Sequence, residues 1–547
     1  MPTATSLLKT TSFQIRHQIP SSKTTVLPNL LLRSHSKTTT SPFLSSFSCP
    51  KTAYHHGGSK ISAVLETKSD STNHTVTIPS LPVRIVALVG EGSISPLKSA
   101  PWMEVMLHTA NRLKWVDEGY EMEVYSDKLC QLDSVELKKL QRKLSYTDIL
   151  MVVAITEMQS VTWVKTNSRK IPNVVCFDSS PDLTNKLGGV LVNTEEKKVG
   201  FFSKISRIGQ EENSDESKEV VKTVAEAWER HNSDDIRFCI LVIINTYIRP
   251  VKILNNLRSK GLSTLKCMAT NCGPQILNCL LDPNCRKALQ CLNNCSPVDQ
   301  VCNYRCIASY ESPNVEAFSL CVLQKHNCLE LDAKIPDKPF VPPMVKFRGE
   351  DLCHETAEDL FVGWLGDLDW SWRVVAGQNP AYDQFPCQYQ LFYRGKARGS
   401  FWYEPVFQVK TLEEGNLVWR RRRYRVKRAK IPGTFNFSVL DNGVVSNEFW
   451  TVVDVADDLS WGLFHYSGAA RVAGQSYTGA VLVSPDGEYP YENEKEKLVS
   501  ALEKCGIKEW ELFMVDNCSC ENPPLGIPDG SSLHRKIEVK HEVKGPR

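Results

Sequence analysis

The chain has 547 residues, 41% hydrophobic and 23% charged, with a formal net charge of +3. That composition excludes a disordered chain and is ordinary for a globular protein of three or four domains. No run approaches the roughly 20 apolar residues that span a bilayer, so a soluble protein is expected; the net charge by itself says little about partners, and no nucleic acid is expected among them.

Residues 1–65 contain no Asp or Glu, seven Lys or Arg and 22 Ser or Thr. Such a segment is expected to be an organelle transit peptide, and its Ser/Thr content favours the plastid. From Val83 to Val89 the chain turns apolar, and Gly90-Glu91-Gly92 and a helical stretch around Met103 to Trp115 follow. Short apolar runs at Glu121–Tyr125, Ile149–Ile155 and Asn173–Phe177 alternate with polar or helix-like segments. This alternation predicts an α/β domain over 81–250 with a mostly parallel sheet. Gly90-Glu91-Gly92 lacks the rest of a dinucleotide fingerprint or a Walker lysine, so it is expected to be a strand-to-helix turn. A helix is expected from Val220 to Arg230, and Phe238–Ile248 reads as a strand or a buried helix.

Ten of the 19 cysteines fall between Cys267 and Cys328. Cys291, Cys295, Cys302 and Cys306 form two Cys-x-x-x-Cys units around a six-residue loop. Cysteines four apart share a helix face, so a helical hairpin is expected, with Cys295–Cys302 nested inside Cys291–Cys306. Cys267, Cys272, Cys279 and Cys285 suggest a second nest, and Cys321 with Cys328 a local loop. Cys-x-x-Cys is absent and the count is large and even, which favours crosslinks over zinc, so no metal is expected. This disulfide-rich helical domain covers 265–330, and a Pro-rich extended linker follows at 331–347.

Residues 361–490 hold 24 of the 48 Phe, Trp and Tyr. Alternating runs at 372–376, 388–393, 400–408, 434–440, 448–455, 462–466 and 477–483, separated by turn residues, predict an antiparallel barrel or sandwich over 361–522. An eight-stranded barrel has room for one apolar ligand. The run Arg420–Arg428, as a strand, places cations on both faces and suits an exposed edge guarded against pairing, with an anionic lipid surface as the second option. Among the barrel carboxyls, Glu448, Asp454 and Asp383 are candidate acids, because aromatic surroundings raise a carboxyl pKa. His465 is expected to be structural. Tyr491–Cys505 reads as an amphipathic helix, Lys508–Val515 as a closing strand, and 523–547 as a charged, frayed tail.

The cysteine knot followed by Trp372-Arg-Val-Val-Ala-Gly377-Gln-Asn379-Pro380-Ala-Tyr382-Asp383-Gln-Phe385-Pro-Cys387 resembles the violaxanthin de-epoxidase family of plant plastids over roughly residues 265–525. The resemblance implies a lipocalin-like barrel in the chloroplast that binds a carotenoid epoxide such as violaxanthin. It implies ascorbate as co-substrate and a peripheral association with the thylakoid. It further implies the pairs Cys267–Cys285, Cys272–Cys279, Cys291–Cys306, Cys295–Cys302 and Cys321–Cys328, with Cys387 bridged to Cys518 or Cys520. By the same resemblance Glu448 and Tyr466 are the expected catalytic residues, and Trp450, Trp372 and Asp383 the substrate-binding ones. The family's Asp-Asp-Trp is Glu448-Phe449-Trp450 here. Val483 stands where the family has a second tyrosine, and Gln390 where it has a histidine. The alternative is a non-catalytic lipocalin-like carrier of a carotenoid or another isoprenoid.

Overall fold

The computed structural model describes residues 81–131, 134–184, 191–192, 215–255, 262–295, 299–362, 372–381, 383–394, 401–413, 415–518, 520–526, 528–529 and 532–533. The expected transit peptide and residues 534–547 of the expected tail lie outside them.

The first domain runs β1 (Val83–Val89), α1 (Trp102–Val116), β2 (Tyr120–Ser126), α2 (Val135–Leu144), β3 (Ile149–Val153), α3 (Met158–Asn167), β4 (Asn173–Phe177), α4 (Pro181–Thr184) and β5 (Leu191–Val192). It ends in α5 (Asp215–Arg230), α6 (Ser233–Tyr247) and α7 (Lys252–Asn255). The five strands are parallel in the order β2-β1-β3-β4-β5, a doubly wound arrangement. β1 is buried everywhere except Arg84, as a central parallel strand covered on both faces must be. Val83, Ile85, Ala87 and Val89 pack towards α1, α5 and α6. Val86 and Leu88 pack towards α2 and α3. The ambiguous run after Phe238 is helical, begun by Asn232, whose side chain accepts from the Asp234 amide.

The cysteine-rich domain is α8 (Leu262–Leu281), α9 (Pro283–Asn294), α10 (Gln300–Tyr310) and α11 (Pro313–Ser319), the last running into a π-helical turn at Leu320–Lys325. Asp282, Asp299 and Ser312 cap α9, α10 and α11. The expected hairpin is present, with Cys291–Cys306 and Cys295–Cys302 joining α9 to α10. The first nest and the local loop are not. The bonds are Cys267–Cys328, Cys272–Cys321 and Cys279–Cys285. The reason is that α8 kinks at Cys272, beside Pro274, without reversing. Seven residues along a helix span about 10 Å, too far for a Cys272–Cys279 bridge. Cys272 instead crosses to Cys321 in the π-helical turn, which packs alongside α8, and Cys267 to Cys328 just after it.

The linker is held against the barrel by the Ala333 and Met344 amides, which donate to the carbonyls of Arg471 and Val452. A hairpin of β6 (Lys346–Phe347) and β7 (Glu350–Asp351) leads into α12 (His354–Val362).

Among the described residues, eight antiparallel strands then close a barrel. They are β8 (Arg373–Gly377), β9 (Tyr389–Arg394), β10 (Phe401–Lys410), the interrupted strand β11 (Leu417–Arg421) plus β12 (Tyr424–Arg428), β13 (Thr434–Asp441), β14 (Val444–Val455), β15 (Gly462–Ala470) and β16 (Gln475–Ser484). β16 pairs back onto β8. Outside the barrel lies α13 (Lys495–Lys504), while β17 (Phe513–Met514) pairs antiparallel with β8 and β18 (Ser532–Leu533) with β9. Cys387 is bonded to Cys520. The fold is thus an α/β domain, a disulfide-rich helical domain and an all-β antiparallel barrel, as expected.

The expected guarded edge holds for only part of the basic run: among the described residues β11 pairs with β10 alone. β12 is paired on one side with β10 and on the other with β13. Several of the run's cations are paired within the chain: Arg421 and Arg423 meet the buried Glu404, Arg422 meets Asp441, and Arg428 meets Glu355 and Glu358 of α12.

The α/β domain is fastened to the segment after α13. Arg112 pairs with Glu511 at 3.0 Å and with Asp234 at 3.0 Å, and Trp510 Nε1 donates to Glu104 at 2.8 Å. Gly506 lies so close to Trp115 that an added Cβ would fall 2.7 Å from its ring.

Candidate active site

Strand register brings four residues together on the inner face of β14 and β15. Trp450 is opposite Tyr466, and Glu448 is opposite Gly468. One strand further, Gly468 faces Tyr477 and Tyr466 faces Gly479. Each tyrosine ring lies over the glycine opposite it: a Cβ on Gly468 would fall 2.4 Å from Tyr477, and one on Gly479 2.4 Å from Tyr466. The missing side chains therefore make room for the rings. Trp450 and Tyr466 stack with centroids 4.7 Å apart.

Glu448 is buried. Its Oε2 accepts from Trp450 Nε1 at 2.7 Å, and its Oε1 accepts from the Tyr477 hydroxyl at 2.8 Å. Burial raises its pKa, and the hydrogen bonds from Trp450, Tyr477 and Tyr424 only partly oppose that.

Asp383 comes from the loop after β8. Asn379 organises this loop, its side chain accepting from the Ala381 amide at 2.9 Å while its own amide donates to Asp383 Oδ2 at 2.7 Å. The Tyr466 hydroxyl donates to Asp383 Oδ1 at 2.8 Å. Burial pushes the Asp383 carboxyl up to about 7 against these hydrogen bonds, with the nearby Glu448 adding to the rise. Tyr403, fully buried beside both carboxyls, has its hydroxyl pushed well above the ordinary range by burial first and then by Glu448 and Asp383.

Glu448, Trp450, Tyr466 and Asp383 thus form one cluster. Trp372 lies elsewhere: its Nε1 donates to the Leu360 carbonyl at 2.7 Å, and its ring meets Phe464 edge-on at 6.5 Å, so it ties α12 to the barrel. Asp454 pairs with Lys504 of α13. His465 is buried on the strand between two inward aromatics, and burial lowers its pKa to about 4. Val483 belongs to the interior apolar cluster, and Gln390 is buried on β9.

Sequence reasoning missed Tyr477, Tyr403 and Tyr424. It also missed Phe361 of α12, whose ring sits 4.6–5.9 Å from those of Phe392, Phe435, Phe437, Trp450 and Phe464. The available signal for Tyr477 was its place in a strand two residues before Gly479, with Gly468 in the strand before.

Beside the site lies a cleft of about 1640 Å³ between the domains. Asn379, Pro380 and Tyr477 of the barrel line it, facing Phe238 and Leu241 of α6 and Ile335 of the linker. In the α/β domain the turn after β1 satisfies its own amides. Ser93 N donates to Gly90 O, Ser95 N to Ala100 O, and Glu91 N to Asp127 Oδ1. A Cβ on Gly90 would fall 2.0 Å from the Ala154 carbonyl oxygen, so this glycine serves packing in a strand-to-helix turn.

The model of the VDE lipocalin domain matches residues 264–517. A violaxanthin de-epoxidase, chloroplastic, of Nicotiana tabacum is 23% identical over 284 residues, covering 51% of this chain and 55% of that protein. Its counterpart in Spinacia oleracea is 23% identical over 276 residues, covering 48% and 53%. The chain therefore spans about half the length of these relatives. Among solved structures, lobster apocrustacyanin A1 aligns over 35% of this chain and 96% of its own, at 11% identity and a TM-score of 0.22. With the barrel and the paired cysteines in view, residues 264–517 are similar to the VDE lipocalin domain and to the violaxanthin de-epoxidases that share it.

Proposed function

We propose that the barrel binds a carotenoid or related isoprenoid and reduces a xanthophyll epoxide such as violaxanthin, with ascorbate as co-substrate. The observation that carries this reading is Glu448, a buried carboxyl whose raised pKa favours the protonated form and whose two oxygens are oriented by Trp450 and Tyr477. A proton on Glu448 passes to the epoxide oxygen as a ring C–O bond breaks. Ascorbate supplies two electrons and leaves as dehydroascorbate. A second proton releases the oxygen as water, and the two former epoxide carbons are left joined by a double bond. Asp383 is the reservoir for that second proton, which reaches the ligand through the Tyr466 hydroxyl hydrogen-bonded to it. Trp450 and Tyr466 form a flat wall for the polyene.

A chloroplast location, with peripheral thylakoid association, is part of this reading. It is supported by the acid-free composition of residues 1–65 and by relatives whose names place them in chloroplasts.

The second reading, a non-catalytic carrier, is favoured by the same hydrogen bonds at Glu448. A carboxyl that accepts from a tryptophan, one tyrosine and a second tyrosine is also a fixed anchor for the barrel wall. Incubation of the disulfide-intact protein with violaxanthin and ascorbate from about pH 5 to about pH 7.5 separates the two: a de-epoxidised product supports the enzyme, and bound but unchanged pigment supports the carrier.

A further inference from the structure

Gln390 stands on β9 two residues before Phe392, and residues two apart on a strand share a face. Phe392 packs in the aromatic interior of the barrel, so Gln390 is on the inner face as well. Across the ladder it is opposite Pro405, two residues from Tyr403, whose hydroxyl is buried beside Glu448 and Asp383. Gln390 is only 3% exposed, and neither Oε1 nor Nε2 has a hydrogen-bond partner among the described residues. A buried amide left unpaired is destabilising, and an apolar side chain of similar volume would avoid that penalty. The position is therefore more expensive than the fold requires.

We propose that Gln390 is a specificity-determining subsite for the oxygenated end ring of the ligand. The proposal rests on the reading that the barrel binds a carotenoid. Nε2 donates to a ring oxygen and Oε1 accepts from a ring hydroxyl. The class of ligand that satisfies both is an end ring carrying an acceptor oxygen and a hydroxyl, as an epoxidised xanthophyll does. A hydrocarbon carotene satisfies neither and leaves the amide desolvated and unpaired, the situation in which hydrogen-bonding sites discriminate most strongly. Selectivity for the oxygenated ring is thereby set by a neutral amide that does not titrate, independently of the protons on Glu448 and Asp383.

The test uses the full, disulfide-intact chain with Gln390→Leu and Gln390→Met. Urea denaturation without ligand measures stability, and quenching of tryptophan fluorescence measures affinity for violaxanthin and for β-carotene. Both variants are expected to be at least as stable as the parent. They are expected to bind violaxanthin about tenfold more weakly and β-carotene no more weakly, so that selectivity falls by about tenfold. Unchanged selectivity in either folded variant overturns the proposal while leaving the carotenoid reading in place. A parent protein that binds neither pigment overturns the carotenoid reading, and this proposal with it.

Discussion

The Tyr466 hydroxyl donates to Asp383 Oδ1 at 2.8 Å, joining the centre of β15 to the loop after β8. The bond unites a motif at 372–387 with a strand some 80 residues later, and it lies beside Glu448. Both carboxyls are buried and shifted upwards, and the charge of Glu448 adds to the rise at Asp383.

Asp383 should make the protein less stable as pH rises. Its folded pKa is about 7, against about 4 for an unfolded Asp. Below pH 4 it is protonated in both states and has no effect. Between 4 and 7 the folded state holds a proton that the unfolded state has lost, so stability falls through that window by up to about 4 kcal/mol. Asp383→Asn should flatten that decline. Urea denaturation of both proteins at pH 4.5 and 7.5 checks it, and parallel profiles would contradict it.

Gly479→Ala should displace the Tyr466 ring, because the new methyl would fall 2.4 Å from it. Overpacking of this kind costs about 1–3 kcal/mol. Adding Tyr466→Ala to Gly479→Ala should recover part of that loss, and thermal denaturation of the four proteins in the cycle measures it. Additive effects would mean that the two positions do not touch.

Cys272–Cys321 closes 49 residues and Cys279–Cys285 only 6. Chain-entropy arguments assign the first about 4 kcal/mol and the second about 2. Removal of each pair by Ala substitution should follow that order in denaturation midpoints. A non-reduced digest should yield Cys267 joined to Cys328, and a Cys267–Cys285 peptide would refute the arrangement.

Arg112 and Glu511 are each only 2–3% exposed at their side chains. Burial raises the Glu511 carboxyl, but the Arg112 guanidinium and His108 outweigh it and hold the pKa below the ordinary value. Arg112→Ala should therefore destabilise the chain by about 3–5 kcal/mol, as removal of one member of a buried pair does. It should also expose the junction between the α/β domain and the barrel to limited proteolysis. An unchanged melting curve would show that the junction is held by other contacts.

Much of this was legible in the sequence, for local reasons. Cys-x-x-x-Cys spacing announces a helical hairpin, and the alternating aromatic runs announce barrel strands. What was not legible depends on where distant segments return. Nothing in the spacing of Cys267 and Cys272 shows that their partners are Cys328 and Cys321, because that depends on α8 continuing past its kink. The charges of the basic run looked unpaired because they are visible in sequence while partners such as Glu404 and Glu358 are far away along the chain. Glu448, Trp450, Tyr466 and Asp383 were visible as a set through the family motif. Tyr477 and Phe361 were not: Tyr477 joins the site through its register opposite Gly468, and Phe361 through the packing of α12 against the barrel's aromatic interior.

The central claim is that Glu448 is the proton donor to a bound xanthophyll epoxide. Its most direct test is a single-turnover assay of the parent and Glu448→Gln with saturating violaxanthin and ascorbate, with pigment binding measured in parallel. The account predicts that both proteins bind the pigment and that the variant loses at least about a hundredfold in rate. Equal turnover by the variant, or no product from a parent protein that binds the pigment, would contradict it.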